Sequence, residues 1–523
     1  MSDKVVALRR QEAPTMTTVP LIAPLDEYNQ QHLHNVHPEP YVNPTPSGRY
    51  NLVVIGAGTA GLVTAAATAG LGGKVALIEK HLMGGDCLNV GCVPSKAVIR
   101  AARAVHEVRN AAEFGIHIPP GMRVDFGEAM ARMRRLRASI SPTDSVARYR
   151  SLGVDVYIGE GRFVGGDFVE VDGQRLKFAR AVITTGARAA RLPVPGLETI
   201  DYLTNENVFW LTELPPRLVV IGAGPIGCEL GQAFRRLGSE VTIVSQDFLP
   251  KEETDTAELV QASFRRDGIR LELGAKILGV APRDGAPHSS EKLITYEVNG
   301  ERREVAADQV LLGAGRAPNV EGLGLEQVGV EFSNKGVKVD DHLRTTNPHI
   351  FAAGDVCSRY QFTHAADALA RIVVQNALFF GRKKMSALHI PWCTYTAPEV
   401  AHVGFNARDA AAAGIDVVTF TVELKDVDRA ILDGETDGFA RAVVRQGTDK
   451  LVGLTIVAAH AGEMIGEAVQ AMNHGIGLGS FASTIHPYPT QAEVLRKLGD
   501  AYNRTRLTPT VKRLFERLLA WRR

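Results

Sequence analysis

Cysteine is scarce in this chain, with five residues among 523. So low a count excludes a disulfide-stapled scaffold of the kind small secreted domains build. No second CxxC-type pair is present to complete a zinc site. An excess of one charge is also missing: 59 Lys and Arg face 58 Asp and Glu, for a net charge of +1. A general nucleic-acid binder would show a basic excess. No apolar run approaches the ~18–20 residues of a membrane-spanning helix. The opening MSDKVVALRRQEAPTMTTVP lacks the ~7–15-residue apolar stretch of a secretory signal, so the expected location is cytoplasmic. What is present is a globular composition, 45% hydrophobic and 22% charged. The length suits about three domains at ~100–200 residues each.

Residues 1–48 read as an extension with seven prolines (Pro14, Pro20, Pro24, Pro38, Pro40, Pro44, Pro46) and little periodicity. Such a segment is expected to run over a surface or stay mobile. His32, His34 and His37 cluster within it, but no cysteine or carboxylate set completes a coordination sphere, so a solvated polar segment is expected. From residue 50 the texture changes. The apolar run Leu52-Val53-Val54-Ile55 leads into Gly56-Ala57-Gly58-Thr59-Ala60-Gly61, then an Ala-rich helical stretch, then Val75-Ala76-Leu77-Ile78 and Glu79. Short apolar runs of this kind are buried parallel strands. The device recurs: Leu218 to Ile221, Gly222-Ala223-Gly224-Pro225-Ile226-Gly227, a helix to about Leu237, and Val241 to Val244. Twenty-three positions separate Gly56 from Glu79, and the same number separates Gly222 from Ser245. A basic helix spans Met130 to Ser139, and 291–312 alternates in β fashion. From about 389 no glycine fingerprint recurs, which reads as a separate α+β domain.

Each glycine turn is built for a dinucleotide. The first glycine permits the tight turn, the second admits a pyrophosphate, and the third lets helix and strand pack closely. The helix N-terminus then offers free N–H groups to phosphate. The residue ending the second strand separates the two sites. Glu79 can accept hydrogen bonds from a ribose with a free 2′-OH, as in FAD or NAD. Ser245 takes that place in the second module and removes the repulsion against a 2′-phosphate. Lys251, Arg265 or Arg266 could supply positive charge. NADPH is therefore favoured over NADH at the second site.

The stretch Gly84-Gly85-Asp86-Cys87-Leu88-Asn89-Val90-Gly91-Cys92-Val93-Pro94-Ser95-Lys96 carries two cysteines five apart. Pro94 suits the first turn of a helix, which puts Cys92 near a helix N-terminus. There the dipole favours thiolate. Two ordinary buried thiols or a structural disulfide are the alternatives, but a dithiol next to a nucleotide-type cofactor reads as a redox couple. Cys228, Cys357 and Cys393 are isolated and read as core residues.

With these motifs, the chain resembles the class I pyridine nucleotide–disulfide oxidoreductases of the dihydrolipoamide dehydrogenase, glutathione reductase and mercuric reductase group. The resemblance covers about 49–510. It rests on GAGTAG at 56–61, GGDCLNVGCVPSK at 84–96, TTGA at 184–187, GAGPIGCE at 222–229, GAGRAPN at 313–319, FAAGDV at 351–356 and HPYPTQAE at 486–493. The resemblance implies an α/β fold with two Rossmann-like dinucleotide-binding domains and an α+β C-terminal dimerisation domain. Its implied boundaries are an FAD-binding domain at 49–197 and 322–385, an NAD(P)-binding domain at 198–321 and a dimerisation domain at 386–507. It further implies FAD at Gly56, Gly58, Gly61, Glu79, Gly85, Thr185, Gly186, Gly354 and Asp355, and NADPH at Gly222, Gly224, Gly227, Ser245, Lys251 and Gly315. The helix after Thr363 would point its N-terminus at the flavin. Lys96 would lie near the flavin and pair with Glu229. Cys92 would be the charge-transfer thiol and Cys87 the interchange thiol. A homodimer is implied, each active site being finished by the other subunit.

Departures from the family pattern bear on the substrate. Dithiol-handling members place a His two positions before the Pro-Thr-aligned threonine, with a Glu five residues later. Here the His position is Tyr488, while Glu493 matches the Glu. A tyrosine with a pKa of ~10 is a poor base for a thiol at neutral pH. His486 is not expected to reach the same spot, and Glu493 is free to pair with Lys497 at helical spacing. Tyrosine at this place resembles mercuric reductase, and Cys87 and Cys92 suit a soft metal ion as transient ligands. No structural metal site is expected. That enzyme's C-terminal cysteine pair is missing, since no cysteine follows Cys393. A thiophilic metal ion is the first candidate acceptor, ahead of a dihydrolipoamide dehydrogenase-type disulfide. A third reading is a redox partner or sensor docked through its tail. Residues 508–523 read as a basic amphipathic helix: Thr508-Pro509 starts it, and Val511, Leu514, Phe515, Leu518 and Trp521 form an apolar stripe. Residues 504–523 hold seven Lys/Arg against one Glu. Packing on the dimer is expected of this helix, in preference to a membrane surface.

Overall fold

The protein is described here from a computed structural model covering residues 22–285, 290–313 and 315–523. Pro14, Pro20 and the rest of 1–21, and Ala314 of the 313–319 motif, lie outside the described residues.

Strand Arg49–Ile55 forms the centre of the first sheet because its residues 52–55 are apolar and buried on both faces. It pairs in parallel with Val75–Glu79 on one side and Gln174–Ile183 on the other, and Val154–Ile158 extends the sheet beyond Val75–Glu79. The long strand Gln174–Ile183 has two neighbours on its outer side. Its start pairs antiparallel with Phe168–Val171, and Ala181–Ile183 pair in parallel with Ile350–Ala352. The chain therefore leaves this sheet, builds a second unit, and returns to it. Helix Thr59–Gly70 covers one face and packs against helix Thr363–Leu378, which follows the return strand.

The second unit repeats the plan. Strands Arg270–Leu273, Glu240–Phe248, Arg217–Ala223 and Gln309–Leu312 form a parallel sheet in that order. Helix Pro225–Leu237 packs on it through Leu230, Ala233 and Phe234. A three-stranded antiparallel sheet, Lys276–Pro282, Lys292–Val298 and Glu301–Ala307, precedes the last parallel strand. The C-terminal unit is a five-stranded antiparallel sheet covered by helices Ala461–His474 and Glu493–Arg506.

The extension differs from the sequence expectation. Residues 27–36 form a helix with one buried face, so the segment has periodicity and is solvated on one side only: Glu27, Gln30, Gln31 and His34 stay exposed. Asp26 caps helix Glu27–Val36 by accepting the Asn29 N–H at 2.9 Å. Asn29, His32 and Val36 are fully buried against helix Phe126–Ile140 and its surroundings. The reason is a polar network: Arg134 pairs with Asp26, and Arg137 donates to Asn29 Oδ1 at 2.8 Å. Polar side chains are buried at little cost when their hydrogen bonds are satisfied by partners. The signal was the Asp26-Glu27 pair after Pro24, an N-cap followed by an acidic first turn.

Candidate active site

The first glycine turn leaves no room for side chains. Gly56 holds φ +106°, and a Cβ on Gly61 would lie 1.8 Å from the Gly56 carbonyl oxygen. A Cβ on Gly85, whose φ is +56°, would meet Gly58 Cα at 2.6 Å. The start of the dithiol segment is therefore laid directly on the nucleotide turn. Glu79 sits at the end of its strand, and its Oε2 accepts the Ala57 N–H at 2.7 Å while Oε1 accepts that of His81. Burial pushes its carboxyl up, against these backbone hydrogen bonds. This cradle of positive-φ glycine, bare backbone and strand-end carboxylate fits an adenosine dinucleotide.

Cys87 lies in the short helix Gly85–Asn89, and Cys92 is the first residue of helix Cys92–Arg109. The turn between them brings the thiols into hydrogen-bonding contact. That hydrogen bond is the largest influence on both. It lowers Cys92 to about 6, helped by Thr363 and Lys96 and opposed by burial. It raises Cys87, and burial adds to the rise. One thiol is thus set as the thiolate and the other as its proton donor. Thr363 Oγ1 lies 3.3 Å from Cys92 Sγ. Thr363 is the first residue of its helix, so Cys92 faces a second helix N-terminus besides its own.

Lys96 Nζ meets Glu229 Oε2 at 2.6 Å and lies 4.4 Å from the centre of the Tyr395 ring. Burial opposes its charge, but the Glu229 carboxylate outweighs it and Lys96 titrates above its ordinary value. Glu229 Oε1 accepts the Tyr395 N–H at 2.9 Å. One pair therefore ties the dithiol helix, the first helix of the second module and the C-terminal unit together. Arg316 forms a second junction. It reaches Asp86, the Ala187 carbonyl oxygen and Asp355 Oδ2, the last at 3.2 Å. Burial raises the Asp355 carboxyl, and Arg316 partly offsets this. Gly354 carries φ +84° beside Ala60. Thr185 Oγ1 donates to the Asn319 carbonyl oxygen at 2.6 Å, and Gly186 accepts the Asn319 N–H at 2.9 Å. Gly315 accepts the Ala190 N–H at 3.2 Å.

The dithiol segment is also gripped from the extension. Asn89, between the two cysteines, donates to the Gly85 and Met83 carbonyls at 2.8 and 3.1 Å. Its Oδ1 meets His32 Nε2 at 2.7 Å, and its carbonyl oxygen accepts Arg137 Nη1 at 2.6 Å.

The second glycine turn copies the first with one exchange. A Cβ on Gly227 would lie 2.1 Å from the Gly222 carbonyl oxygen. Gly224 caps helix Pro225–Leu237 without a side chain. Ser245 Oγ accepts the Ala223 N–H at 3.1 Å, the contact Glu79 makes to Ala57, and donates to the Asp247 carbonyl oxygen at 2.7 Å. The serine thus keeps the backbone role and removes the carboxylate. Of the expected cations, Arg266 is paired with Asp437 and Arg265 bonds Gln261. Lys251 Nζ lies 5.9 Å from the Phe362 ring centre.

Tyr488 and Glu493 are not brought to the dithiol within one chain. Tyr488 is exposed and donates to Asp428 Oδ2 at 2.9 Å, which holds the phenol above its ordinary pKa. Glu493 pairs with Arg496 at i+3 rather than with Lys497 at i+4, and Arg496 bridges on to Asp500 at 2.9 Å. His486 Nε2 pairs with Glu467 at 3.1 Å. Sequence reasoning missed Arg316, Asn89 and Tyr395, and read the buried His32 as solvated. The first two stand inside the quoted motifs, and Tyr395 carries no local signal.

Comparison with known proteins gives the same reading. The family description "Pyridine nucleotide-disulphide oxidoreductase" matches residues 50–370, and its dimerisation domain matches 390–498. Mercuric reductase of Bacillus cereus is 35% identical over 450 residues, 86% of this chain and 70% of that protein. Dihydrolipoyl dehydrogenase of Bacillus subtilis is 36% identical over 458 residues, 84% of this chain and 94% of that protein. Among solved structures, a Cu(II) complex of the HOCl-induced flavoprotein disulfide reductase RclA from Escherichia coli superposes with a TM-score of 0.75. It is 26% identical and covers 87% of this chain and 99% of its own.

Proposed function

The chain belongs to the pyridine nucleotide-disulphide oxidoreductases, which use FAD and NAD(P)H, and from that premise we propose that its Cys87–Cys92 couple reduces an acceptor needing no histidine base, first of all a thiophilic metal ion. Gly56, Gly58, Gly61, Glu79, Gly85 and Asp355 would hold FAD, and Gly222, Gly224, Gly227 and Ser245 the nicotinamide cofactor. FAD supplies two-electron exchange between nicotinamide and disulfide when bound. The chain's own residues do the rest. Cys92 holds a thiolate at neutral pH, Cys87 holds the proton, and Lys96 keeps positive charge beside them, neutralised by Glu229. Two electrons per NAD(P)H open the disulfide to this pair, and the same two leave to the acceptor as it re-forms.

The observation that carries the metal reading is Tyr488. Its phenol is committed to Asp428 and titrates high, so it is no base for thiol–disulfide exchange. A soft ion needs thiolates, not a base. Two kinds of similar protein support this reading: the mercuric reductases, and the reductase solved with Cu(II). Glu493 favours the alternative, a dihydrolipoamide dehydrogenase-type disulfide reductase, because it keeps that enzyme class's acid beside the histidine position. The dimerisation domain supports a homodimer, and we place the site at its subunit boundary. Anaerobic reduction by NADPH followed by Hg²⁺, Cu²⁺ or lipoamide tests the reading. Metal ions should reoxidise the enzyme fastest. Faster reoxidation by lipoamide, unaffected by Tyr488→Phe, would overturn it.

A further inference from the structure

The chain ends in a helix that the redox chemistry does not use. Thr508 caps it by accepting the Val511 N–H, Pro509 opens it, and it runs Pro509–Trp521. None of its residues is buried. Leu514 is 63% exposed, Leu519 57% and Trp521 82%. At about 100° per residue, Trp521, Leu514, Leu518, Val511, Phe515 and Leu519 fall within one arc of about 160°. Lys512, Arg513, Glu516 and Arg517 occupy the opposite arc, and Arg522 and Arg523 follow the last turn. Among the described residues, the side-chain hydrogen bonds it makes stay within it: the Thr508 cap and Arg513 Nε to the Pro509 carbonyl oxygen.

Charge decides what this face suits. Residues 504–523 carry seven cations and one Glu, whereas residues 1–503 hold 52 Lys/Arg against 57 Asp/Glu. The acidic body stands next to the helix, yet the helix is not seated on it. What it lacks is a partner that is both apolar in depth and densely negative at its surface. An amphipathic helix with a cationic polar face, an apolar opposite face and a tryptophan at its end has the features of an interfacial anchor. We propose that Pro509–Trp521 lies in the plane of an anionic lipid surface, with its Leu, Phe and Trp side chains among the acyl chains and its Lys and Arg side chains at the headgroups. The acidic remainder of the chain is repelled by the same surface, so contact is confined to this end of the C-terminal unit.

The test uses the full-length FAD-loaded enzyme with vesicles of phosphatidylcholine alone or mixed with phosphatidylglycerol. The enzyme should sediment with the mixed vesicles and not with phosphatidylcholine alone. Trp521 emission should shift to the blue on binding, with Trp521→Phe marking its share. Arg513→Ala/Arg517→Ala should weaken partitioning ~25-fold at low salt, about five-fold per cation. Leu514→Glu/Leu518→Glu should abolish it while FAD content and thermal midpoint stay as in the parent. Failure of the parent enzyme to bind mixed vesicles would overturn the proposal. So would Trp521 emission that is already blue in the lipid-free enzyme and indifferent to vesicles, since a second copy of the chain would then cover the stripe.

Discussion

Acid should loosen this protein at His32, and the amount follows from its surroundings. Asn89 uses both amide hydrogens on the Gly85 and Met83 carbonyls, so its Oδ1 is the acceptor and His32 Nε2 the donor. His32 is then neutral, and its buried Nδ1 has no hydrogen-bond partner among the described residues. A second proton would enter at that nitrogen, out of reach of solvent and near the Arg137 guanidinium. Burial first and the Arg137 charge second lower the imidazole to about 4, while the Asn89 contact opposes them. Because the folded value lies below the unfolded value of 6.5, the unfolded chain takes up the proton first. Stability from this group is therefore nearly complete above pH ~7, falls by about 2 kcal/mol at pH ~5 and by about 3 kcal/mol at pH ~4, and levels off near pH ~3. His32→Gln keeps a donor toward Asn89 and removes the titration. Urea unfolding of both proteins across this range isolates the His32 share as their difference. Parallel profiles for parent and variant would refute the argument. Because Asn89 sits between Cys87 and Cys92, thiol labelling of the parent should become faster relative to His32→Gln at the same pH as the pH falls through this step, both slowing in absolute rate as the Cys92 thiolate is protonated.

Four further outcomes are expected. In the reduced, flavin-free chain, the ultraviolet thiolate absorbance missing from Cys92→Ala should titrate at about 6, and Cys87→Ala should raise that midpoint more than Lys96→Met, because the Cys87 hydrogen bond is the largest influence. Lys96→Met leaves the Glu229 carboxylate buried without its cation and should cost about 3 kcal/mol in thermal or urea unfolding, with part recovered in Lys96→Met/Glu229→Gln. Ser245→Glu can keep the Ala223 N–H contact while restoring a carboxylate at the ribose edge, so kcat/KM for NADPH should fall ~10-fold or more relative to NADH, a loss of about 1.4 kcal/mol. Gly61→Ala must push apart two backbone segments and should lower FAD content and stability by about 3 kcal/mol or more, read by flavin absorbance and calorimetry.

Legibility of the chain followed the range of the interactions. The two nucleotide turns were readable because strand, glycine turn and helix are contiguous, and the geometry at Gly56, Gly61 and Gly227 is backbone against backbone. Cys92 was readable because Pro94 marks the helix start that surrounds it. Ser245 was readable as a missing charge, but its bond to Ala223 N–H was not, since that contact spans two strands. Arg316 and Tyr395 join segments far apart in sequence, and no local pattern announces such a junction. The extension misled for a related reason. Asp26, Asn29 and His32 look solvated until Arg134 and Arg137, about a hundred residues later, pair with Asp26 and Asn29, and Asn89 pairs with His32. Glu493 took Arg496 instead of Lys497, a choice between neighbouring turns that spacing alone does not make.

The strand Ile350–Ala352 pairs with Ala181–Ile183 across an |i−j| of about 170 residues. A ribosome must therefore finish the whole second nucleotide unit before the first sheet acquires its last parallel strand and its helix Thr363–Leu378. Until then the first unit waits with an open edge and an uncovered helix face, while the second, continuous in sequence, is free to close. The second unit can thus close before the first, begun earlier, is complete. The Arg316 and Thr185–Asn319 contacts lie at the crossing point, where the early half meets the late one.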